Sequence, residues 1–214
     1  MIQALVISLK IMAVDVPPLL VIGSALGWVI AKKQFIGRDV LSLIIMLPLV
    51  LPPSVLGLYM LILFGNTPLI RELGILFSFS GAAAAAFVSA LPLMVQSARS
   101  GFSSVPRDLE DAARTLGDGE WKVFSRVTLP LSRRSLVVGL TLASARALGD
   151  FGVTFMIAGN IPGRTQTLPL FIYSKMESFE FAQAHLAAIL LVLLGLVSLY
   201  LVRNIEEGKH DRAA

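Results

Sequence analysis

Ser104-Val105-Pro106-Arg107-Asp108-Leu109-Glu110-Asp111-Ala112-Ala113-Arg114-Thr115-Leu116-Gly117-Asp118-Gly119 lies in a polar connection, approximately residues 99–134, that separates two long apolar stretches. It carries the marks of a helix start: a serine available as a cap, a proline in the first turn, and acidic residues at the positive end of the helix dipole. Leu109, Ala112, Ala113 and Leu116 recur at i, i+3, i+4 and i+7, giving one face a narrow apolar stripe of small residues. Gly117-Asp118-Gly119 then stops the helix in a tight turn. Trp121, Phe124 and Val127 mark a second short helical pattern, expected to end at Leu129-Pro130. Two short amphipathic helices set at an angle by glycines make a knob able to lie in the groove of a partner protein, with the alanines allowing close approach. The same periodicity fits an interfacial helix lying flat on lipid headgroups, which its basic residues would suit.

Outward from this connection, five apolar stretches stand out, approximately 8–31, 40–64, 75–98, 135–158 and 181–202. Each is long enough to cross a bilayer core of roughly 30 Å, which takes about 20 helical residues. Composition agrees: 56% of the 214 residues are hydrophobic, 15% are charged, and the mean hydropathy is +0.80. That is too apolar for a compact water-soluble domain. The expectation is an all-α integral membrane protein with about five transmembrane helices in a single domain over residues 1–214. No cleavable signal peptide is expected, because Met1-Ile2-Gln3 has no basic character and the following apolar run is long enough to span.

The net charge of +4 forms no continuous basic stripe, so no nucleic-acid partner is expected. The basic residues fall between the apolar runs and read as topology. With odd-numbered helices running inward, thirteen of the 18 Lys and Arg lie inside: Lys32, Lys33 and Arg38, then seven from Arg99 to Arg134, then Arg203, Lys209 and Arg212. Arg71, Arg164 and Lys175 fall outside, and Lys10 and Arg146 within spans. The N-terminus is therefore expected outside, with the loop and the C-terminus in the cytoplasm.

Prolines punctuate the spans: Pro17-Pro18 in the first, Pro48 and Pro52-Pro53 in the second, Pro92 in the third. Each removes a backbone donor, and in hydrocarbon the freed carbonyls need neighbouring helices or a water-filled path. Proline is also commoner in membrane helices generally. The Leu47-Pro48-Leu49-Val50-Leu51-Pro52-Pro53 run is the strongest of these signals and marks Pro52 and Pro53 as candidate path residues. Gly23-x-x-x-Gly27 fits close helix contact or chance, and Ala82 to Ala86 reads as close packing.

Arg146 and Asp150, one turn apart in the fourth stretch, should not face lipid, where an unpaired charge costs at least ~2.5 kcal/mol. They can pair, although arginine preceding aspartate is the less favourable order along the dipole, so additional partners are expected. One reading places them at the border or gate of a translocation path; the other makes them a packing pair. Nothing points to catalysis. There is no G-x-x-x-x-G-K-[ST] loop, no cysteine, no G-x-S-x-G elbow, and only His185 and His210, so no catalytic residue and no metal site is expected. A membrane enzyme with its site among Lys10, Asp15, Arg146 and Asp150 lacks a nucleophile, and a self-sufficient channel or ion-coupled carrier leaves the glycine-hinged loop unexplained.

Asp111-Ala112-Ala113, three residues, Gly117, nine residues, Val127, one residue, Leu129-Pro130 resembles the EAA loop of ABC importer permeases. Aspartate stands for the usual glutamate and valine for isoleucine, and Glu110 beside Asp111 leaves an acidic residue in either register. The resemblance implies a type I ABC importer permease fold. In that family the loop seats in a groove of the ATPase subunit, so Glu110, Asp111, Ala112, Ala113, Gly117, Val127, Leu129 and Pro130 are the expected coupling residues. Leu47–Pro53, Leu91-Pro92-Leu93-Met94-Val95, Ala147-Leu148-Gly149-Asp150-Phe151-Gly152 and Asn160-Ile161-Pro162-Gly163 with Thr165-Gln166-Thr167-Leu168-Pro169 are similar to molybdate permeases, and sulfate permeases share the style of the fourth helix. Asp150 stands where glutamate is usual. The resemblance implies a homodimer in a bacterial or archaeal plasma membrane, served by two ATPase subunits that bind ATP and Mg and by an external oxyanion-binding protein. The expected cargo is molybdate or tungstate, with sulfate or thiosulfate as the alternative.

Overall fold

The computed structural model describes residues 1–207, so Lys209, His210 and Arg212 lie outside the described residues. The first helix, α1 (Ile2–Lys32), is continuous over 31 residues. It begins earlier than the apolar stretch suggested and passes straight through Pro17 and Pro18. Its next turn, Leu19–Gly23, is π-helical. Two prolines in succession withhold two N–H groups, and a widened turn re-registers the ladder without breaking the rod.

The second apolar stretch is not one helix. α2 (Arg38–Val50) and α3 (Pro53–Asn66) meet at 118°. A proline disfavours helical geometry in the residue before it, and at this break Leu51 and Pro52, each followed by a proline, are both extended, with ψ 138° and 139°. A short helix, α4 (Pro68–Glu72), comes next. The central helix α5 (Phe79–Ser103) starts at a serine cap, the Ser78 Oγ accepting from the Gly81 N–H at 3.2 Å. After the loop helix α6 (Arg107–Thr115) comes α7 (Glu120–Leu148), bent by 60° against α8 (Gly152–Ala158). The fourth stretch, expected as one span, is thus broken at Gly149-Asp150-Phe151. α9 (Leu168–Glu177), which the hydrophobic pattern did not reveal, precedes the last helix, α10 (Phe181–Glu207). By length and hydropathy α1 and α5 can cross a membrane outright, α2/α3 and α7/α8 as bent pairs, and α10 contributes the apolar segment Phe181–Val197.

Small residues set how closely these helices approach. A Cβ on Gly27 would lie 2.5 Å from the Ala98 Cβ and 2.9 Å from the Arg99 backbone nitrogen, while Gly23 abuts Met94. The Gly23-x-x-x-Gly27 pair is therefore the face by which α1 lies on α5. On the other side, Gly139 meets Ser97 and Gly101 meets Ser135, bringing α7 equally close. Ala82, Ala83 and Ala86 are buried in this three-helix core, as their small size permits, while Ala85 is buried against α3 and α8 with Leu56, Met60, Val153 and Ile157. Large apolar side chains such as Val21, Leu43 and Val192 point outward instead. That distribution suits lipid as the surrounding solvent.

Gly27→Ala is expected to destabilise the bundle by about 1–3 kcal/mol, since backbone cannot move aside as a flexible side chain can. Gly65→Ala, where nothing lies within 4 Å, serves as the control. Thermal unfolding in detergent should show a lowered Tm for the first variant only; a parental Tm for Gly27→Ala would refute the close approach.

Candidate functional site

The loop at one end of the bundle is built by backbone chemistry at each turn. Ser104, a candidate cap for α6, instead donates its hydroxyl to the Gly101 carbonyl at 2.8 Å and finishes α5. Pro106 occupies the cap position of α6, with no side-chain cap bond. At the other end Gly117 adopts φ 91°; its N–H bonds the Arg114 carbonyl at 3.0 Å, and the Asp118 N–H bonds Ala113 at 3.1 Å. This pair of bonds is a Schellman stop, and it requires a residue at ease in the left-handed region. The following helix does not end at Leu129-Pro130. Phe124–Thr128 forms a π turn within α7 that carries the helix on, with Pro130 in the first regular turn after it.

The two faces of α6 differ in kind. Leu109 is half exposed, Ala112 is exposed, Ala113 is half-buried, Leu116 is 88% exposed, and Trp121 beside them is 77% exposed. Asp111 lies on the exposed side and pairs with Arg114 at 2.6 Å, which also reaches Glu120 at 2.7 Å. The Arg114 hydrogen bonds hold the Glu120 carboxyl below its ordinary pKa, and the two carboxylates raise that of Arg114. Glu110, grouped in sequence with Asp111, is turned inward at 5% exposure. One of its oxygens meets Lys32 Nζ at 2.9 Å and the other accepts from the Thr128 hydroxyl at 2.6 Å. Phe124 packs against Trp28, Phe102 and Trp121 with ring centroids 5.8–6.2 Å apart, tying the loop to α1 and α5. Val127 is half-buried, whereas Leu129 and Pro130 are exposed. Lys32 and Thr128 were not singled out by sequence: a lysine after an apolar run reads as a topology marker, and a lone threonine carries no signal.

The second constellation lies at the breaks. Asp150, just beyond the end of α7, is 2% exposed. Its Oδ1 receives Arg146 at 3.2 Å, as the i,i+4 spacing predicts. Its Oδ2 accepts from the Thr154 N–H at 2.9 Å and the Thr154 hydroxyl at 2.7 Å, supplying the further partner. A carboxylate at this point satisfies a backbone donor that the break frees at the start of α8 and faces the positive end of its dipole. Arg146 keeps 31% of its side chain accessible. A Cβ on Gly152 would lie 2.7 Å from the Pro53 Cβ, and one on Gly57 would lie 2.8 Å from Met156. The Pro52-Pro53 break and the Gly149–Gly152 break therefore sit side by side. Phe151, Phe155 and Tyr173 cluster at the same place, 5.2–6.0 Å apart and partly exposed. Among the described residues no ion pair joins Lys10 or Asp15 to this group; Asp15 is buried in α1 and Lys10 is exposed.

The family described as binding-protein-dependent transport system inner membrane component matches residues 23–210. The molybdenum transport system permease protein ModB of Escherichia coli K12 is 39% identical over 220 residues, covering 99% of this chain and 96% of that protein. YvgM of Bacillus subtilis, named as a putative molybdenum transport system permease protein, is 36% identical over 206 residues, covering 93% and 91%. The sulfate transport system permease protein CysW of Synechococcus elongatus is 35% identical over 218 residues, covering 98% of this chain and 76% of that one. In fold the chain is similar to the MetNI methionine ABC transporter in inward-facing conformations, with a TM-score of 0.69 at 20% identity and 95% of both chains covered. The two constellations thus sit on a type I importer scaffold, and the chain belongs to the family of binding-protein-dependent transport system inner membrane components.

Proposed function

We propose that this chain forms the translocation path for molybdate in an ATP-driven importer, without hydrolysing ATP itself. The observation that carries the reading is α6: a short, firmly stopped helix whose apolar stripe faces outward while its other face is bolted to the bundle. A stripe of Leu109, Ala112, Ala113 and Leu116 facing water is unfavourable until covered, and small residues at its centre admit a partner backbone closely. The ATPase subunit, with its ATP and Mg, is the fitting occupant, Asp111 and Gly117 lying at the same surface. This reading puts the loop and the C-terminus in the cytoplasm and the N-terminus outside, where an oxyanion-binding protein delivers the cargo. Two copies of the chain enclose the path.

Pro52, Pro53, Arg146 and Asp150 are the proposed gate. Broken helices leave backbone groups where only a protein-lined or wet cavity tolerates them. Asp150 holds the break together through Arg146 and Thr154. Arg146, partly accessible, offers positive charge to a passing dianion, and its partner carboxylate keeps that attraction from becoming a trap. Molybdate is favoured because relatives named for molybdenum transport are 36% and 39% identical over nearly the whole chain. The sulfate permease at 35% identity keeps sulfate as the second reading.

Ala113→Asp is expected to leave the complex assembled and to abolish substrate-stimulated ATP hydrolysis, because a charge would be forced into a close-packed groove. Unchanged stimulation in an assembled complex would remove α6 as the docking surface.

Asp150→Asn should lower the amount of stable protein, since it unbalances a buried cluster, whereas Arg146→Gln should assemble and transport with altered rate. Parental yield for the first together with parental transport for the second would eliminate both roles.

Deleting the gene should impair molybdenum-dependent growth at low external molybdate, with rescue by excess. Normal molybdenum accumulation at low supply, in a strain lacking any second uptake route, would redirect the assignment to sulfate.

A further inference from the structure

α5 and α7 are joined to the loop by the chain itself, so any movement of α6 reaches them directly. α1 is not. Its last residue lies 78 residues away in sequence from Glu110, and side chains alone connect it to the loop. The polar part of that connection is a buried knot. Lys32, the last residue of α1, donates to Glu110 on α6 at 2.9 Å and to the Val105 carbonyl in the linker at 3.5 Å. The other Glu110 oxygen takes the Thr128 hydroxyl at 2.6 Å, where α7 turns from π to regular helix. One carboxylate thereby joins three elements, and an ion pair shielded from water holds its geometry more firmly than an exposed one.

The far end of α1 is anchored as well. The Ser8 hydroxyl accepts from the Leu168 N–H at 2.8 Å, a buried bond to the first residue of α9, which lies beyond the broken span. Ser8 and Lys32 stand at opposite ends of one rod, roughly 36 Å apart at 1.5 Å per residue. A displacement entering at Lys32 therefore arrives at the segment beyond α8.

We propose that Lys32 is a positioning residue for coupling: through Glu110 it passes movement of α6 into α1, and α1 delivers it to the opposite side of the membrane. This rests on the reading of α6 as the ATPase docking helix. Lys32 acts here through Glu110, its own side chain being only 15% exposed.

The test uses the complete importer, reconstituted in vesicles with its ATPase subunit and binding protein, and reads molybdate moved per ATP hydrolysed. Lys32→Met is expected to assemble in parental yield and to lower that ratio at least tenfold. Lys32→Arg, which keeps the charge, should stay within twofold of the parent. A parental ratio for Lys32→Met overturns the proposal, as does equal loss in both variants, which would mark a requirement of shape instead of charge. If Lys32→Met fails to assemble, Thr128→Val is read in the same way: a loss of threefold or more supports the knot and a parental ratio overturns it. Ala113→Asp separates the two levels. If it loses stimulated hydrolysis while Lys32→Met couples normally, docking stands and the knot falls; if both behave like the parent, the docking reading falls and takes the knot with it.

Discussion

Hydrocarbon offers no partner to a backbone N–H or C=O, and this chain nonetheless interrupts two of its spans. Most of the architecture serves to make those interruptions tolerable. The breaks are stacked on each other, Gly152 against Pro53, so that each lies beside protein. Asp150 supplies the acceptor that the start of α8 lacks, and Arg146 and Thr154 supply the donors that make a buried carboxylate acceptable. The unbroken helices carry the remaining load. α1 and α5 cross without a gap and pack through glycine and alanine, forming a stiff frame on which the broken pairs sit.

Stiffness and interruption divide the chain by task. The π turns show how: in α1 and again within α7, a widened turn lies beside prolines that would otherwise end a helix, and the rod continues. At Pro52-Pro53 no such repair occurs, because the residue preceding each proline is driven to extended geometry. The same residue type thus leaves a continuous strut in one place, with a widened turn in α1 and without one at Pro92 of α5, and gives a 118° bend in another.

The sequence made the membrane class, the five apolar stretches and the loop with its Gly117 stop legible, because hydropathy and glycine punctuation are local signals. The Arg146–Asp150 pair was legible for the same reason, being one helical turn apart. Which prolines break a span was not: Pro48 and Pro92 lie inside regular helix and Pro17-Pro18 in a helix with a widened turn, while Pro52-Pro53 mark a break, a difference that residue type alone does not encode. The short helix α9 was invisible because its apolar residues cover α1 and α10 instead of belonging to a long stretch of their own. The division of labour between Glu110 and Asp111 was hidden too. Adjacent residues on a helix point about 100° apart, and only the distant Lys32 and Thr128 determine which of them is turned inward.

The outward stripe on α6 also bears on the life of the chain before assembly. Leu116 and Trp121 stand almost fully in water, on a segment whose remaining face is already committed. Such a patch is the feature that folding helpers and proteases recognise, and nothing within the described part of the chain covers it. In the proposed assembly the ATPase subunit hides that surface, so a copy made without it keeps the patch open to those factors.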